Sequence, residues 1–308
     1  MPESMPLKPT VHFPVMADEV IELLKANEKG VYLDCTLGGG GHTERILLAH
    51  PENEVFAVDR DFRAIERAKI RLQRFNERVT FIHASFSELG SVVNREGFQG
   101  MVADLGFSTD QLREGRGFSF VDQSLDMRMN ASDPVTAEDI LNNYTEQEIY
   151  KILKVGGVGQ EARAICKAIL QNRPVKTAEQ LADLIQKSAP AQKGKSHPAT
   201  VVFQALRIEV NQEQKQLQDL LHIIPKVVDR DNGRVAIISF HSLEDKEVGK
   251  TMREWSRGDD RPAYLRNSEG KKKLGNLLTK KAIEPSEDEI KVNPASRSAL
   301  LRVFEFNN

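Results

Sequence analysis

Residues 31–42 read VYLDCTLGGGGH. Val31 to Cys35 make a short apolar, β-branched run, which predicts a buried strand. The glycines at 38–41 end it, and residues 43–49 continue at helical spacing. The pattern recurs further along the chain. Residues 54–59 (EVFAVD) predict a second strand, and residues 61–74 carry Phe62, Ile65, Ala68 and Leu72 at helical spacing. Residues 78–83 (RVTFIH) and 100–105 (GMVADL) predict a third and a fourth strand. Strands alternating with helices predict an α/β fold with a doubly wound, mostly parallel sheet.

After Leu105 the alternation stops. The next buried strand pattern is RVAIISF at 234–240, and 128 residues separate Leu105 from Arg234. A crossover between parallel strands needs only a dozen or more residues, so most of this stretch predicts an inserted, mainly helical second domain. Val135–Glu138 and Tyr144–Glu148 have the composition of helix starts. Residues 200–226 place Phe203, Leu206, Val210, Leu217 and Leu221 on one helical face and return the chain to the sheet. Residues 298–306 predict a last strand, antiparallel at the sheet edge. The division expected is 1–108 with 210–308 for the sheet domain and 109–209 for the insertion.

The composition excludes several classes. The 308 residues carry 43 Lys plus Arg against 45 Asp plus Glu, with 29% charged and 40% hydrophobic residues. That is a folded, soluble composition, not a disordered, collagen-like or disulfide-scaffold chain. The two cysteines, Cys35 and Cys166, permit no disulfide framework, and no His, Cys and carboxylate cluster has metal-ligand spacing; no metal is expected. A reducing, cytoplasmic compartment is expected. No apolar run approaches the length that spans a bilayer. The near-zero net charge hides a local excess: residues 246–281 hold eleven Lys or Arg and five acids. Gly258, Pro262, Gly270 and Gly275 interrupt that segment, which reads as a mobile loop. Trp255 and Tyr264 among its cations suit stacking on nucleic-acid bases beside neutralised phosphates.

The glycine loop fails the dinucleotide fingerprint G-x-G-x-x-G. From Gly38 and Gly40 the third position falls on Thr43, and from Gly39 it falls on Glu44. A nicotinamide-dependent dehydrogenase is therefore disfavoured. Asp59 ends the second strand, where a carboxylate can accept from both hydroxyls of a ribose. Phe86 follows the third strand, placed to pack on an adenine, and Asp104 ends the fourth. Loops at the carboxyl ends of parallel strands are where such sheets bind ligands. Together these features suit a nucleoside without a diphosphate, and S-adenosylmethionine answers that description.

Further motifs extend over nearly the whole chain: HFPVM (12–16), DLGFSTDQL (104–112), RGFSF (116–120), LDMRM (125–129), HPAT (197–200), FQALRI (203–208) with Val210 and Asn211, ISFHSLEDK (238–246) and NPASRSALLR (293–302). With the glycine loop they make the chain similar to the bacterial RsmH (MraW) family of S-adenosylmethionine-dependent methyltransferases. The resemblance implies a class I methyltransferase sheet and methylation of N4 of a cytidine in the decoding centre of small-subunit (16S) ribosomal RNA. It implies cofactor contacts from Gly40, Gly41, His42, Asp59, Phe86, Asp104 and Gln111. The implied partner is that RNA or the assembled small subunit, with no membrane. The chain departs from the family pattern at Val158 and Gly159, at Val201 and at Ala295, all outside the cofactor loops.

The exocyclic amine of cytosine is a poor nucleophile because its lone pair is delocalised into the ring. An enzyme must hold it in line with the methyl donor, and positioning of this kind can supply roughly 7–11 kcal/mol. The turn Asp104-Leu105-Gly106-Phe107-Ser108 is the expected catalytic turn, with Asp104 facing the cofactor or amine and Phe107 or Ser108 lining the base slot. His241, after the fifth strand, is a candidate hydrogen-bond partner or proton acceptor for the base. Ser242 with Asp245 reads as a helix cap. Phe118 and Phe120 are candidates to stack on a flipped base, and Arg116 and Arg128 to hold phosphate. The competing readings are a ribosome-assembly factor without catalysis and a cytosine-N4 DNA methyltransferase.

Overall fold

The computed structural model describes residues 13–106, 112, 114–189, 198–257 and 272–307. Ser108, Gln111, His12, His197 and Tyr264 lie outside the described residues, as do residues 258–271 of the basic segment. The chain divides into two compact units, 1–106 with 216–308 and 107–215. The second break falls inside a helix, beyond Val210.

The first unit is built on a seven-stranded sheet in the order β3-β2-β1-β4-β5-β7-β6. Its strands are β1 (Val31–Asp34), β2 (Glu54–Asp59), β3 (Val79–His83), β4 (Gly100–Asp104), β5 (Arg234–Ser239), β6 (Gly275–Leu277) and β7 (Leu300–Phe306). The first five run parallel, and β7 lies antiparallel to both β5 and β6. The strand order reverses between β1 and β4, and ligands of open α/β sheets bind outside the carboxyl ends at such a switch. The strand at the sheet edge is β6 and not β7, a correction to the sequence expectation. Three residues within a basic, glycine-containing stretch give no strand periodicity to read.

Helices α1 (Ala17–Leu23), α2 (Gly41–Ala49) and α3 (Phe62–Arg71) supply one side of the sheet, with Val20, Ile46, Leu47, Ile65 and Ala68 buried among Val55, Val102 and Ile238. Asp61 caps α3 by accepting from the Arg63 N–H at 3.0 Å. The other side carries a short helix, α4 (Leu89–Val92). It joins Leu217, Leu220 and Ile224 of a later helix, and Val248, Met252 and Trp255, over Met101, Val235 and Ile237.

The second unit is helical. Its elements are α5 (Ala137–Asn143), α6 (Glu146–Val155), α7 (Ala162–Gln171), α8 (Ala178–Ser188) and α9 (Pro198–Val210). Thr136 with Asp139 and Thr145 with Glu148 form reciprocal capping boxes, which fix the two expected starts. Leu141, Ile149, Leu153, Ile165, Leu181 and Leu206 make its core. The stretch 200–226 is two helices rather than one: α9 stops at Val210 and α10 (Glu213–Val227) follows. Gln212 sits at φ 50°, and buried Asn211 accepts from Met129 N and donates to the Met127 carbonyl, both at 2.8 Å. Those side-chain bonds hold the break, and apolar periodicity does not register it.

Residues 246–257 are helix, not loop. They belong to α11 (Ser242–Arg257), whose Trp255 is 9% exposed and packs edge-on to Phe304 at 5.3 Å. Trp255 is thus a core residue and no base-stacking platform. The last helix is α12 (Glu287–Val292), capped by Ser286.

Candidate cofactor and catalytic site

The site is built where β1 and β4 end. Asp34, the last residue of β1, is fully buried; its carboxylate accepts from Thr36 N at 3.1 Å and from Thr43 Oγ1 at 2.7 Å. Burial pushes its pKa up, and His42 and Thr43 pull against that rise. Thr36 in turn accepts from the Asp104 N–H through Oγ1 at 2.6 Å. The first turn after β1 is therefore pinned to the end of β4 by side chains.

Between them the glycine loop makes its turn. Gly40 stands at φ 81° ahead of α2, a conformation that favours glycine. Gly41 opens the helix, and a Cβ there would lie 3.0 Å from the ring of Pro14. The segment Phe13–Met16 thus lies against the start of α2. It is held by α12: Glu289 Oε1 accepts from Met16 N at 2.7 Å, and Asn293 Nδ2 donates to the Phe13 carbonyl at 3.4 Å.

His42 is buried in the first turn of α2, with Nε2 3.5 Å from Asp104 Oδ2. Burial opposes its cationic form, but Asp104, Asp34 and Glu289 together outweigh burial and raise its pKa. His42 Nδ1 and Asp104 Oδ1 are buried with no hydrogen-bond partner among the described residues. Unsatisfied buried polar atoms cost free energy, and at a strand switch point they mark a place for a polar ligand.

Asp59 ends β2. Its Oδ2 accepts from Gly38 N at 2.7 Å and its Oδ1 from Asp61 N at 2.8 Å. Burial raises its pKa to about 6, against the pull of those two N–H donors. Each oxygen retains a lone pair, so the carboxylate can still accept from a diol. Phe86 begins a short turn after β3, half-buried on the core that holds Leu33 and Ala84.

His241 follows β5 and caps α11 itself. Its Nδ1 faces Glu244 N at 3.4 Å, while Glu244 Oε2 accepts from Phe240 N at 2.9 Å and His241 N at 3.3 Å. Glu244 Oε1 lies 3.1 Å from His241 Nε2. The expected cap by Ser242 with Asp245 is corrected accordingly: Asp245 instead binds Arg302 through two bonds, at 2.7 and 2.9 Å.

The phosphate expectation for Arg116 and Arg128 and the stacking expectation for Phe118 do not hold. Arg128 is bidentate on Asp126, at 2.6 and 2.9 Å, and donates to the Asp133 carbonyl at 2.7 Å. Arg116 donates to the carbonyls of Arg128 and Met129 and pairs with Glu114. Phe118 is buried in the helical core, and Phe120 packs edge-on to Phe203 at 4.7 Å. Arg116, Arg128 and Phe118 organise the unit from within, whereas Phe120 is 36% exposed and keeps its ring partly open to solvent.

Thus the structure gathers Gly40, Gly41, His42, Asp59 and Asp104 around the ends of β1, β2 and β4, with Phe86 after β3 and His241 after β5. Asp34, Thr36, Thr43, Met16 and Glu289 were not anticipated. Asp34 sits inside the quoted strand-to-loop stretch and was open to recognition; Glu289 carries no sequence signal linking it to residue 16.

The MraW methylase family model matches residues 9–307. The chain belongs to the MraW methylase family. Relatives carrying the name ribosomal RNA small subunit methyltransferase H match over most of both chains. That of Nitratiruptor sp. is 40% identical and covers 96% of this chain and 98% of its own. That of Cyanothece sp. is 42% identical over 96% of this chain and 94% of its own. The Campylobacter jejuni protein is 40% identical over 96% and 97%. The family resemblance, the methyltransferase sheet and the assignment as an enzyme are therefore borne out. In this MraW methylase, no helix among the described residues is long and apolar enough to cross a membrane.

Proposed function

We propose that this MraW methylase transfers a methyl group from S-adenosylmethionine to the exocyclic N4 of a cytidine in 16S ribosomal RNA. The observation that carries the reading is the pair of buried His42 and half-buried Asp104 at the β1/β4 switch, each with an unsatisfied polar atom. The names borne by the relatives support the RNA substrate, and the absence of a diphosphate fingerprint at residues 38–43 supports the cofactor.

The residues fit such a cofactor. Asp59 is the acceptor for the two ribose hydroxyls, held in place by Gly38 N and Asp61 N. Gly40 and Gly41 shape the backbone the ligand would lie against, packed on Leu72 and Pro14, and Phe86 offers a half-buried ring for the adenine. His42 and Asp104 face the remaining polar end. The bound cofactor supplies an electrophilic methyl group on a sulfonium. The chain's own part is to orient and to exclude water. Asp104 accepts a hydrogen bond from the target amine, which withdraws the lone pair from ring conjugation and leaves a proton to be released afterwards. His241, whose Nδ1 accepts from Glu244 N and whose Nε2 lies 3.1 Å from Glu244 Oε1, is the candidate at the end of β5 to take that proton. Ser108 and Gln111 complete the proposal by the motif positions they occupy. The site lies in a chain that works in the cytoplasm, where its RNA is made.

The test uses labelled S-adenosylmethionine with small subunits from cells lacking the activity, with naked rRNA and with DNA. Mass spectrometry then identifies the product nucleoside. N4-methylcytidine from rRNA is expected. Transfer to deoxycytidine alone, or to no substrate, overturns the reading.

A further inference from the structure

Helix α11 carries Lys246, Lys250, Arg253 and Arg257, all exposed. Their spacing of four, three and four residues places them on one helical face, in a row about 16 Å long. None of the four has a carboxylate partner among the described residues. Most other cations of this unit are engaged: Arg71 and Arg74 on Glu44, Lys69 on Glu66, Arg234 on Glu305 and Arg302 on Asp245. Asp245, next to the start of the row, is neutralised by Arg302.

Position adds to charge. The opposite face of α11 is anchored by Val248, Met252 and Trp255, so the row is held rigidly outward. Its first member is one turn past His241, at the carboxyl end of β5 beside the cleft. At its far end Leu274 N donates to the Trp255 carbonyl at 2.8 Å. That bond brings exposed Lys272 and Lys273 to the last turn of the helix. The result is a straight cationic row leading away from the site, with Glu247 and Glu254 set to one side of it.

We propose that this face of α11, extended by Lys272 and Lys273, is the docking surface for the phosphate backbone of the RNA substrate. The inference rests on the function proposed above and places the RNA's electrostatic anchor on the methyltransferase unit. The arginines first considered for that role, Arg116 and Arg128, are tied to Glu114 and Asp126. Four cations at these distances match successive phosphates of one strand, and neutralising them releases counterions and makes affinity salt-dependent.

The experiment replaces Lys246, Lys250, Arg253 and Arg257 together with Gln in the full chain. A control replaces Lys151, Lys167, Lys176 and Lys187, four exposed lysines of the helical unit, with Gln. Binding of 16S rRNA is measured against salt, alongside S-adenosylhomocysteine binding and the thermal midpoint. The α11 variant is expected to lose about tenfold or more in RNA affinity. The slope of log affinity against log salt should flatten by about 3, at 0.7–0.9 per lost phosphate contact. Cofactor affinity, midpoint and the control should stay at wild-type values. An unchanged slope in the α11 variant overturns the proposal, and so does an equal loss in both variants. Failure of the wild type to methylate rRNA while retaining salt-dependent RNA binding counts against the proposed function alone. Should the fourfold variant unfold, the pair Lys246→Gln and Arg253→Gln reads the same slope, expected to flatten by about half as much.

Discussion

His42 Nε2 lies 3.5 Å from Asp104 Oδ2, joining the first turn of α2 to the carboxyl end of β4. Removing the Asp104 carboxylate acts on both the cofactor end and the target amine. Asp104→Ala should lower kcat about a hundredfold or more. The far-ultraviolet spectrum should match wild type, and the thermal midpoint should stay close to it in alkaline solution, where His42 is neutral in both proteins. A kcat near the wild-type value would refute the assignment.

The same pair sets a pH dependence. Asp104, with Asp34 and Glu289, raises the His42 pKa against the effect of burial. A histidine raised in this way adds stability that is fully present below its unfolded value, about 6.5, and is lost as pH rises through the folded value. Asp104→Asn removes the principal partner. The midpoint gap between wild type and this variant should be widest in mild acid and close as the solution becomes alkaline. Parallel midpoint curves would count against it.

Asp59 gives a pH dependence of the same sign, in a lower window. Its folded pKa of about 6 exceeds the ordinary carboxylate value, because burial outweighs the Gly38 and Asp61 donors. The native state therefore binds more protons between about pH 4 and 6, and stability without ligand falls as pH rises across that window. Ribose recognition needs the ionised form. Affinity for S-adenosylhomocysteine should fall by up to about tenfold per pH unit below 6. Calorimetric titration across pH checks this, with Asp59→Asn as the variant in which the dependence disappears.

Much of the sheet is legible in the sequence because β1, β2, β4 and β5 are buried on both faces and read as continuous apolar runs. The glycine loop, Asp59 and Asp104 are legible because each ends such a run. Trp255 is not, since an indole among cations looks the same whether it packs on Phe304 or on a base. Nor is the capping by His241: Ser242 has the commoner capping side chain, and only the backbone decides which residue precedes the helix. Arg116 and Arg128 mislead for a related reason. Guanidinium groups that satisfy nearby carbonyls and carboxylates have the same composition as groups awaiting a phosphate.

Trp255 offers a direct check of that distinction. Trp255→Ala should cost about 3–5 kcal/mol of stability through the cavity left against Phe304 and Phe306. RNA affinity of the folded fraction should be unchanged. Retained stability with weakened RNA binding would restore the stacking role.

Glu289 separates a hydrogen bond from a charge. Glu289→Ala frees Met16 N and loosens Pro14 from Gly41; cofactor affinity should drop about 5–30-fold, for roughly 1–2 kcal/mol. Glu289→Gln keeps an oxygen acceptor and should hold near wild-type affinity. Equal losses in the two variants would show that the charge near His42, and not the bond to Met16, is what matters.

The bond between Glu289 and Met16 spans 273 residues of chain. During translation, the glycine loop and strands β1 to β4 are made well before α12. A nascent chain therefore holds every ligand-facing side chain yet lacks the clasp over the start of α2. The clasp is thus a contact of high sequence separation, the kind whose loop-closure cost is met late in folding.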